Sequence, residues 1–344
     1  MKIRWSVLGS CGIAKRRTIP EGILAADNAE LVTIYDVNTQ ANNAFAKELG
    51  IFAAASEQQL ISDDIDAVYI ATPANLHYQQ VLDCAKAGKH IFCEKPLGMT
   101  NKEAKQMVAA CKEGGVKLGT AFMMRFHSQH QAALKMIQQG KLGKLTYGRT
   151  QLSCWYPPIE GAWRQDPKLG GGGSLMDLGG HCIDLLEMFF GKVKKVSCFI
   201  NNTVHDYKTE DSAVAMLFFE NGAIATVDTF FCIPDNSSKN VLELYGSKGS
   251  ILAKGTIGQS QAAKMTAILT EDEKGYDAQQ ARSENREIVI SPEPVNMYRA
   301  EIQEFSQAIM DGRETCLNGE VALRSQEILA ACYESASSGK IIEL

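Results

Sequence analysis

The sequence predicts an α/β protein in two domains: a parallel sheet interleaved with helices over residues 1–124, then an α/β domain with a mostly antiparallel sheet over residues 125–344. Up to Met124, short apolar strand patterns alternate with helical patterns, the order that builds a parallel sheet. Beyond Met124, long segments alternate apolar and polar residues, the period of antiparallel strands with one buried face. A length of 344 residues also suits about two domains.

Residues 3–8 read as a strand, Gly9-Ser10-Cys11-Gly12-Ile13-Ala14 as a turn, and the stretch carrying Ile19, Ile23 and Leu24 as a helix. Residues 31–35 form a second strand ending at Asp36. Strand, glycine turn, helix, strand and acid make the layout of a Rossmann-type dinucleotide-binding unit, whose helix N-terminus faces a pyrophosphate. Gly9 and Ala14 fit the first and third small-residue positions; Cys11 departs from the second, with Gly12 beside it. Gly9, Cys11, Gly12 and Ile13 are therefore candidate cofactor-binding residues. Asp36 lies 22 positions beyond Ala14, near the roughly 20 expected of the acid that meets the adenosine ribose. Its carboxylate repels a 2′-phosphate and no arginine follows at Val37 or Asn38, so NAD is favoured over NADP.

Helical patterns at 41–49 and 57–61 lead to a buried strand at 66–71. The polar tip after it, with Thr72, Pro73, Asn75 and His77, is expected to line the same groove. A helix follows, then an apolar strand at 90–93 with Glu94-Lys95-Pro96 at its C-terminal end. Ligands gather outside the carboxyl ends of strands in open α/β sheets, which aims Glu94 and Lys95 at a cleft. Pro96 enforces a stiff turn compatible with either isomer of the Lys95–Pro96 bond. An ammonium on such a turn can donate a proton or orient a hydroxyl. A helix at 102–113 and a strand at 116–122 complete the first domain.

The second domain opens with a helix at 128–139. Strand patterns follow at 144–153, 193–204, 213–219, 223–231, 241–245 and 249–253. Residues 255–286 are polar and weakly patterned, and read as an irregular excursion. Amphipathic helices at 295–310 and 319–337 close the chain. Between the first two strands lie four glycines, 170–173, followed by helical spacing at Leu178, Ile183, Leu185, Leu186 and Met188. Asp177 and His181 are then i and i+4 on one helix face, with Asp184 nearby. A carboxylate beside an imidazole orients the ring and favours its protonation, which suits a base acting on a hydroxyl. A surface ion pair or a shared metal would also give this spacing, but no third ligand is evident.

Composition narrows the classes. The net charge of −5, without a lysine/arginine block, argues against nucleic-acid or anionic-membrane partners. No stretch approaches the ~20 apolar residues of a membrane span, and the N-terminal apolar run is too short for a signal peptide. Ten cysteines are scattered with no Cys-x-x-Cys, as expected of reduced thiols in a cytoplasmic protein.

The chain resembles the glucose-fructose oxidoreductase / inositol dehydrogenase / rhizopine catabolism (Gfo/Idh/MocA) family over essentially its whole length. The resemblance rests on Ala71-Thr72-Pro73 with His77, Glu94-Lys95-Pro96, Met124-Arg125-Phe126-His127 and Trp163-Arg164-Gln165-Asp166-Pro167. It rests also on Gly171-Gly172-Gly173 followed by Asp177, Gly179, His181 and Asp184. It implies a Rossmann domain joined to a domain with a large open sheet often used for oligomer contacts, here a dimer or tetramer. It implies a nicotinamide cofactor and a sugar or cyclitol substrate. By motif position, Lys95, Asp177 and His181 match the family's catalytic lysine, aspartate and histidine, and Trp163 and Arg164 match residues near the nicotinamide. No resident metal is expected.

The expected reaction is reversible oxidation of a secondary alcohol. His181 takes the hydroxyl proton with Asp177 supporting the imidazolium, and Lys95 stabilises negative charge on oxygen; Lys95 and His181 are interchangeable as base at this level. Trp155 and Tyr156 would suit the apolar face of a sugar ring. Arg125 and His127 reach either substrate or the interdomain contact, and Tyr298 is expected to face the cleft. Two other outcomes stay open: transient oxidation with tightly held NAD, giving epimerisation or cleavage through a 3-keto sugar, and a non-catalytic NAD-binding sensor.

Overall fold

The computed structural model describes residues 2–270, 278 and 287–344. Strands β1 (Ile3–Leu8), β2 (Ala29–Tyr35), β3 (Phe52–Ala53), β4 (Ala67–Ile70), β5 (His90–Cys93) and β6 (Leu118–Thr120) form one sheet. Its order is β3-β2-β1-β4-β5-β6, and every pairing is parallel. Helices α1 (Thr39–Leu49), α2 (Glu57–Ser62), α3 (Ala74–Lys86) and α4 (Asn101–Glu113) fill the crossovers. Three of them start where the sequence supplies a capping oxygen. Asn38, Ser56 and Thr100 accept from the backbone N–H groups of Ala41, Gln59 and Glu103, which satisfies donors that a helix start leaves orphaned.

The first crossover differs from expectation. Ala14–Ile23 is wound as a π-helix, with Pro20 inside it. Proline has no N–H to give and its ring crowds the carbonyl four residues back; the wider winding accommodates both effects. Leu24, expected on the apolar face, is exposed.

The second domain contains α5 (Ser128–Gln138), β7 (Leu145–Ser153), α6 (Pro167–Gly170), α7 (Gly180–Phe190), β8 (Val193–Asn201), β9 (Ser212–Phe219), β10 (Ile224–Phe230), β11 (Val241–Gly246) and β12 (Gly249–Lys254). It continues through β13 (Lys264–Leu269), β14 (Glu287–Val289), α8 (Met297–Met310), α9 (Gly319–Ser338) and β15 (Ile342–Glu343). The sheet order is β14-β13-β12-β11-β7-β10-β9-β8-β15, antiparallel except where β7 meets β10. β13 falls in the stretch read as irregular. Met265, Thr266 and Ala267 are buried in succession, so the two-residue alternation that marks a strand is missing. The rest of that stretch, residues 271–277 and 279–286, lies outside the described residues. Strands β3, β14 and β15 are too short for a period to show.

Helices α7 and α9 cover one face of the second sheet. On the other face Phe199, Val214, Met216 and Ile224 are exposed. Helix α8 does something chain order conceals: it returns to the first sheet. Ile302 and Phe305 join the core around β1, together with Leu317. The Phe305 ring lies 5.7 Å from that of Trp5 and 5.0 Å from that of Phe92, and Trp5 Nε1 donates to Ser306 Oγ at 3.1 Å.

The glycine-rich segment shows how the second domain delivers its helix to the first. Glu210 is buried just before β9, and its carboxylate accepts from the backbone N–H of Gly173 and of Leu175, each at 2.9 Å, and from the Tyr333 hydroxyl at 2.9 Å. Ser174 N–H donates to the Glu210 carbonyl at 3.0 Å. These bonds fix the start of the π-helical turn Leu175–Gly179, which runs into α7. The approach is so close that a Cβ on Gly173 would lie 2.0 Å from the Glu210 carbonyl oxygen. Gly173→Ala is therefore expected to cost about 1–3 kcal/mol, as overpacking of a rigid contact does, measured as a lowered urea midpoint; an unchanged midpoint would contradict this account.

Candidate active site

Thr72, Glu94 and Lys95 leave the carboxyl ends of β4 and β5, and Asp177 and His181 come from the turn that leads into α7 and from α7 itself. They meet, with Ile13, Trp163 and Arg164, around one cavity of about 430 Å³. The sequence reading is thus brought together in space across two domains. The Lys95–Pro96 peptide bond is cis.

The centre of the cavity is an ion triad. Lys95 Nζ donates to Asp177 Oδ1 at 2.6 Å and to the Asp177 carbonyl at 2.8 Å. Arg164 Nε lies 3.0 Å from Asp177 Oδ2, and its guanidinium sits 4.2 Å over the Trp163 ring. Burial alone would raise the Asp177 pKa, but Arg164 and Lys95 outweigh it and hold the carboxyl well below its ordinary range. This corrects the expected pairing: Asp177 bonds to Lys95 and not to His181. The π-helical turn that carries Asp177 redirects its side chain from the α-helical i, i+4 relation.

His181 lines the same cavity, and its Nδ1 has no hydrogen-bond partner among the described residues. Burial, then the Lys95 charge, push its pKa down to about 3 against a weaker opposing pull from Asp177. The site therefore presents a cation and a neutral imidazole to whatever enters. Such a pair can polarise a hydroxyl and accept its proton.

The glycine turn forms a separate shelf at the ends of β1 and β2. Gly9 has φ +82°, and a Cβ there would lie 2.7 Å from the backbone of Ala71, so only glycine lets the turn lie this close to β4. Cys11 N–H donates to Asp36 Oδ2 at 2.9 Å, and Asn38 N–H donates to Asp36 Oδ1 at 2.9 Å. Each oxygen keeps a lone pair for a ribose hydroxyl. Gly12 faces open space. Among the described residues no side chain caps the helix at Ile13, which leaves its first N–H groups available to an anion. Shelf and cavity together fit a dinucleotide.

Other expected site residues are elsewhere. His77 is buried and does not line the cavity; its Nδ1 and Nε2 lie 2.9 Å from the carbonyls of Pro96 and Thr72. It ties the two loops together where a cofactor contact was expected. Pro73 precedes α3, and Asn75 is exposed on its first turn. Arg125 is not free for substrate, because Asp184 holds it: Nε and Nη2 donate to the Asp184 carboxylate at 2.7–2.9 Å. His127 is fully buried, with its ring 4.6 Å from that of His130 and tilted to it by 31°. Trp155 packs its ring 4.9 Å from His205, and Tyr156 lies 4.9 Å from Phe231; neither lines the cavity, whereas Cys154 between Ser153 and Trp155 does. Among the described residues no three His, Cys, Asp or Glu side chains gather as a metal site, and no helix is long and apolar enough to cross a membrane.

Tyr298 lines the cavity as expected, and Glu301 beside it was missed. Its signal was present: Glu301 interrupts the apolar stripe of Met297, Ile302 and Phe305 on an amphipathic helix, where a charge has no reason to sit unless it is used.

Comparison with known proteins agrees with this geometry. Residues 3–122 match the NAD-binding Rossmann fold of an oxidoreductase family, and residues 130–252 match the GFO/IDH/MocA C-terminal domain. The chain is 28% identical over 345 residues to 1,5-anhydro-D-fructose reductase of Ensifer adhaerens, covering 99% of this chain and 98% of that one. It is 30% identical over 283 residues to myo-inositol 2-dehydrogenase of Thermotoga maritima, covering 78% and 79%. Its fold superposes on aldose-aldose oxidoreductase from Caulobacter crescentus, solved with glycerol, with a TM-score of 0.88 at 25% identity over the full length of both chains. A parallel sheet with a dinucleotide shelf, the second-domain helix delivered to its cleft, and these matches across both domains make the chain a member of the GFO/IDH/MocA family of NAD(P)-dependent sugar and polyol oxidoreductases.

Proposed function

We propose that this protein interconverts a secondary alcohol and a ketone on a sugar, glycoside or cyclitol, with NAD as cofactor. The observation that carries the reading is that Lys95 from the first domain and Asp177 and His181 from the second line one cavity, with Lys95 bonded to Asp177 and His181 left with an unpaired Nδ1 among the described residues. Gly9, Cys11, Ile13 and Asp36 would hold the adenosine and pyrophosphate, and Thr72, Glu94, Trp163 and Arg164 the nicotinamide end. The bound dinucleotide supplies the two-electron hydride acceptor or donor.

The chain's own residues do the rest. Lys95 places its charge against the substrate oxygen and stabilises the alkoxide character that grows as the hydroxyl proton departs, before hydride loss discharges it. Its partner Asp177, shared with Arg164, fixes where that charge sits. The ammonium is occupied by Asp177, so His181 is the group with a lone pair to take the hydroxyl proton. The charge that depresses His181 also lowers the acidity threshold of the alcohol, so donor and acceptor shift together and transfer stays feasible. In the reverse direction His181 or Lys95 returns the proton. All ten cysteines are free, which fits a reducing compartment such as the cytoplasm. The exposed face bearing Phe199 and Met216 fits a homo-oligomer contact, a dimer or tetramer.

Absorbance of reduced cofactor, followed across free sugars, glycosides and inositols, tests the function directly. On the best substrate, Lys95→Met and His181→Asn are each expected to lower kcat by about 10²–10⁴ while NAD⁺ affinity is kept; full activity in either would sink the mechanism. The wild-type rate should show no acid limb at the ordinary histidine value of about 6.5, because His181 stays neutral far below it. Lys95→Met removes a lowering charge and should move that limb upward. Asp36→Ser should shift the kcat/KM ratio of NAD⁺ to NADP⁺ at least about tenfold towards NADP⁺, since a charge that repels the 2′-phosphate is gone; an unchanged ratio would return the cofactor preference to another residue. A Phe199→Lys/Met216→Lys double variant should sediment as a smaller species than wild type, and an identical sedimentation coefficient would place the contact elsewhere.

A further inference from the structure

Glu301 is fully buried, and neither carboxyl oxygen has a hydrogen-bond partner among the described residues. A buried polar group left unpaired is destabilising, so one that a native protein keeps calls for an explanation. The residue lines the cavity beside Tyr298 and Glu94. Both Glu301 and Tyr298 come from α8, which packs against the first domain, so they belong to the wall on which a cofactor rests. That wall is built from the ends of β4, β5 and β6, the half of a parallel dinucleotide site opposite the adenosine shelf at β2.

We propose that Glu301 holds the carboxamide of the nicotinamide ring and thereby sets which ring face meets the substrate. The assignment rests on the nicotinamide reading above and adds a residue to it. A carboxamide offers one N–H donor and one carbonyl acceptor side by side. A neutral carboxyl offers the complementary acceptor and donor, and the two close a ring of two hydrogen bonds. Glu301 is suited to stay neutral: burial, then the charge of Glu94, push its pKa well up. Glu94 cannot take the same part as freely, because the Tyr69 hydroxyl donates to its Oε1 at 2.8 Å. Lys95 and Arg164 are engaged by Asp177. Glu301 is a positioning residue in this account: it touches the cofactor away from the reacting atoms.

The test is a fluorescence titration of the full-length protein, using its tryptophans, with three ligands. These are ADP-ribose, NAD⁺, and the 3-acetylpyridine analogue of NAD⁺, in which a methyl group replaces the amide nitrogen. Wild type is expected to bind NAD⁺ about tenfold more tightly than the analogue, the factor one buried hydrogen bond carries. Glu301→Leu and Glu301→Ala should lose that preference while binding ADP-ribose like wild type, and Glu301→Gln, whose amide can pair with a carboxamide, should keep it. Deuteride transfer should stay confined to one ring face in wild type and Glu301→Gln, and become mixed in the truncated variants. Equal affinities in wild type, or a preference that survives both truncations, would overturn the assignment. Loss of ADP-ribose binding in both truncated variants would overturn it in favour of a purely structural role. Failure of wild type to bind ADP-ribose would instead overturn the dinucleotide reading itself, and the assignment with it.

Discussion

The carboxylate of Asp177 is what the site depends on. It belongs to the second domain, and its partner Lys95 leaves the carboxyl end of β5 in the first. One side chain therefore joins the two domains at the place where chemistry is proposed. Arg164 shares it from the other side, so two partly buried cations depend on a single anion. Removing that anion would strand both cations in a partly desolvated setting. Everything around the triad serves to hold it: the Glu210 clamp on Gly173 and Leu175, the π-helical turn that aims Asp177, and the Trp163 ring under Arg164. Within the second domain a further pair, Arg125 with Asp184, ties the start of that domain to α7 away from the cavity.

Much of this was legible in the sequence because it obeys short-range rules. The alternation of strands and helices before Met124 and the two-residue period after it both rest on side chains facing one core. The cleft position of Lys95 follows from strand direction alone. What was not legible depends on who faces whom. Asp177 was assigned to His181 by helical spacing, but a single wide turn gave it to Lys95. Arg125 and His77 have the polarity of ligand-binding groups and spend it on Asp184 and on two carbonyls. Trp155 and Tyr156 have the aromatic faces a sugar would use and spend them on His205 and Phe231. Polar and aromatic residues announce that they need a partner; only the fold says whether that partner is solvent, substrate or another side chain. β13 escaped because burial of three consecutive residues erases the period that identifies a strand.

The electrostatics of the cavity are graded. At one end the triad concentrates positive charge, where a substrate oxygen would become negative. Along the first-domain wall lie Glu94 and Glu301, both shifted upward by burial. Burial favours the neutral form of both carboxyl groups, so the cavity's charge is concentrated at the triad. The same low-dielectric setting that keeps His181 neutral makes each of these charges count for more than it would in water.

The return of α8 to the first sheet bears on how the molecule is assembled during synthesis. All six strands of the parallel sheet precede residue 121, yet the ring that packs against both Trp5 and Phe92 is Phe305. A Cβ on Gly119 would lie 2.8 Å from that same ring, so the surface is shaped to receive it. A nascent chain that has made every strand of its first sheet still presents an apolar hollow to water. Closure of that hollow requires residues that emerge from the ribosome after the whole second sheet through β14. The two domains are thus successive in the gene but interleaved in time.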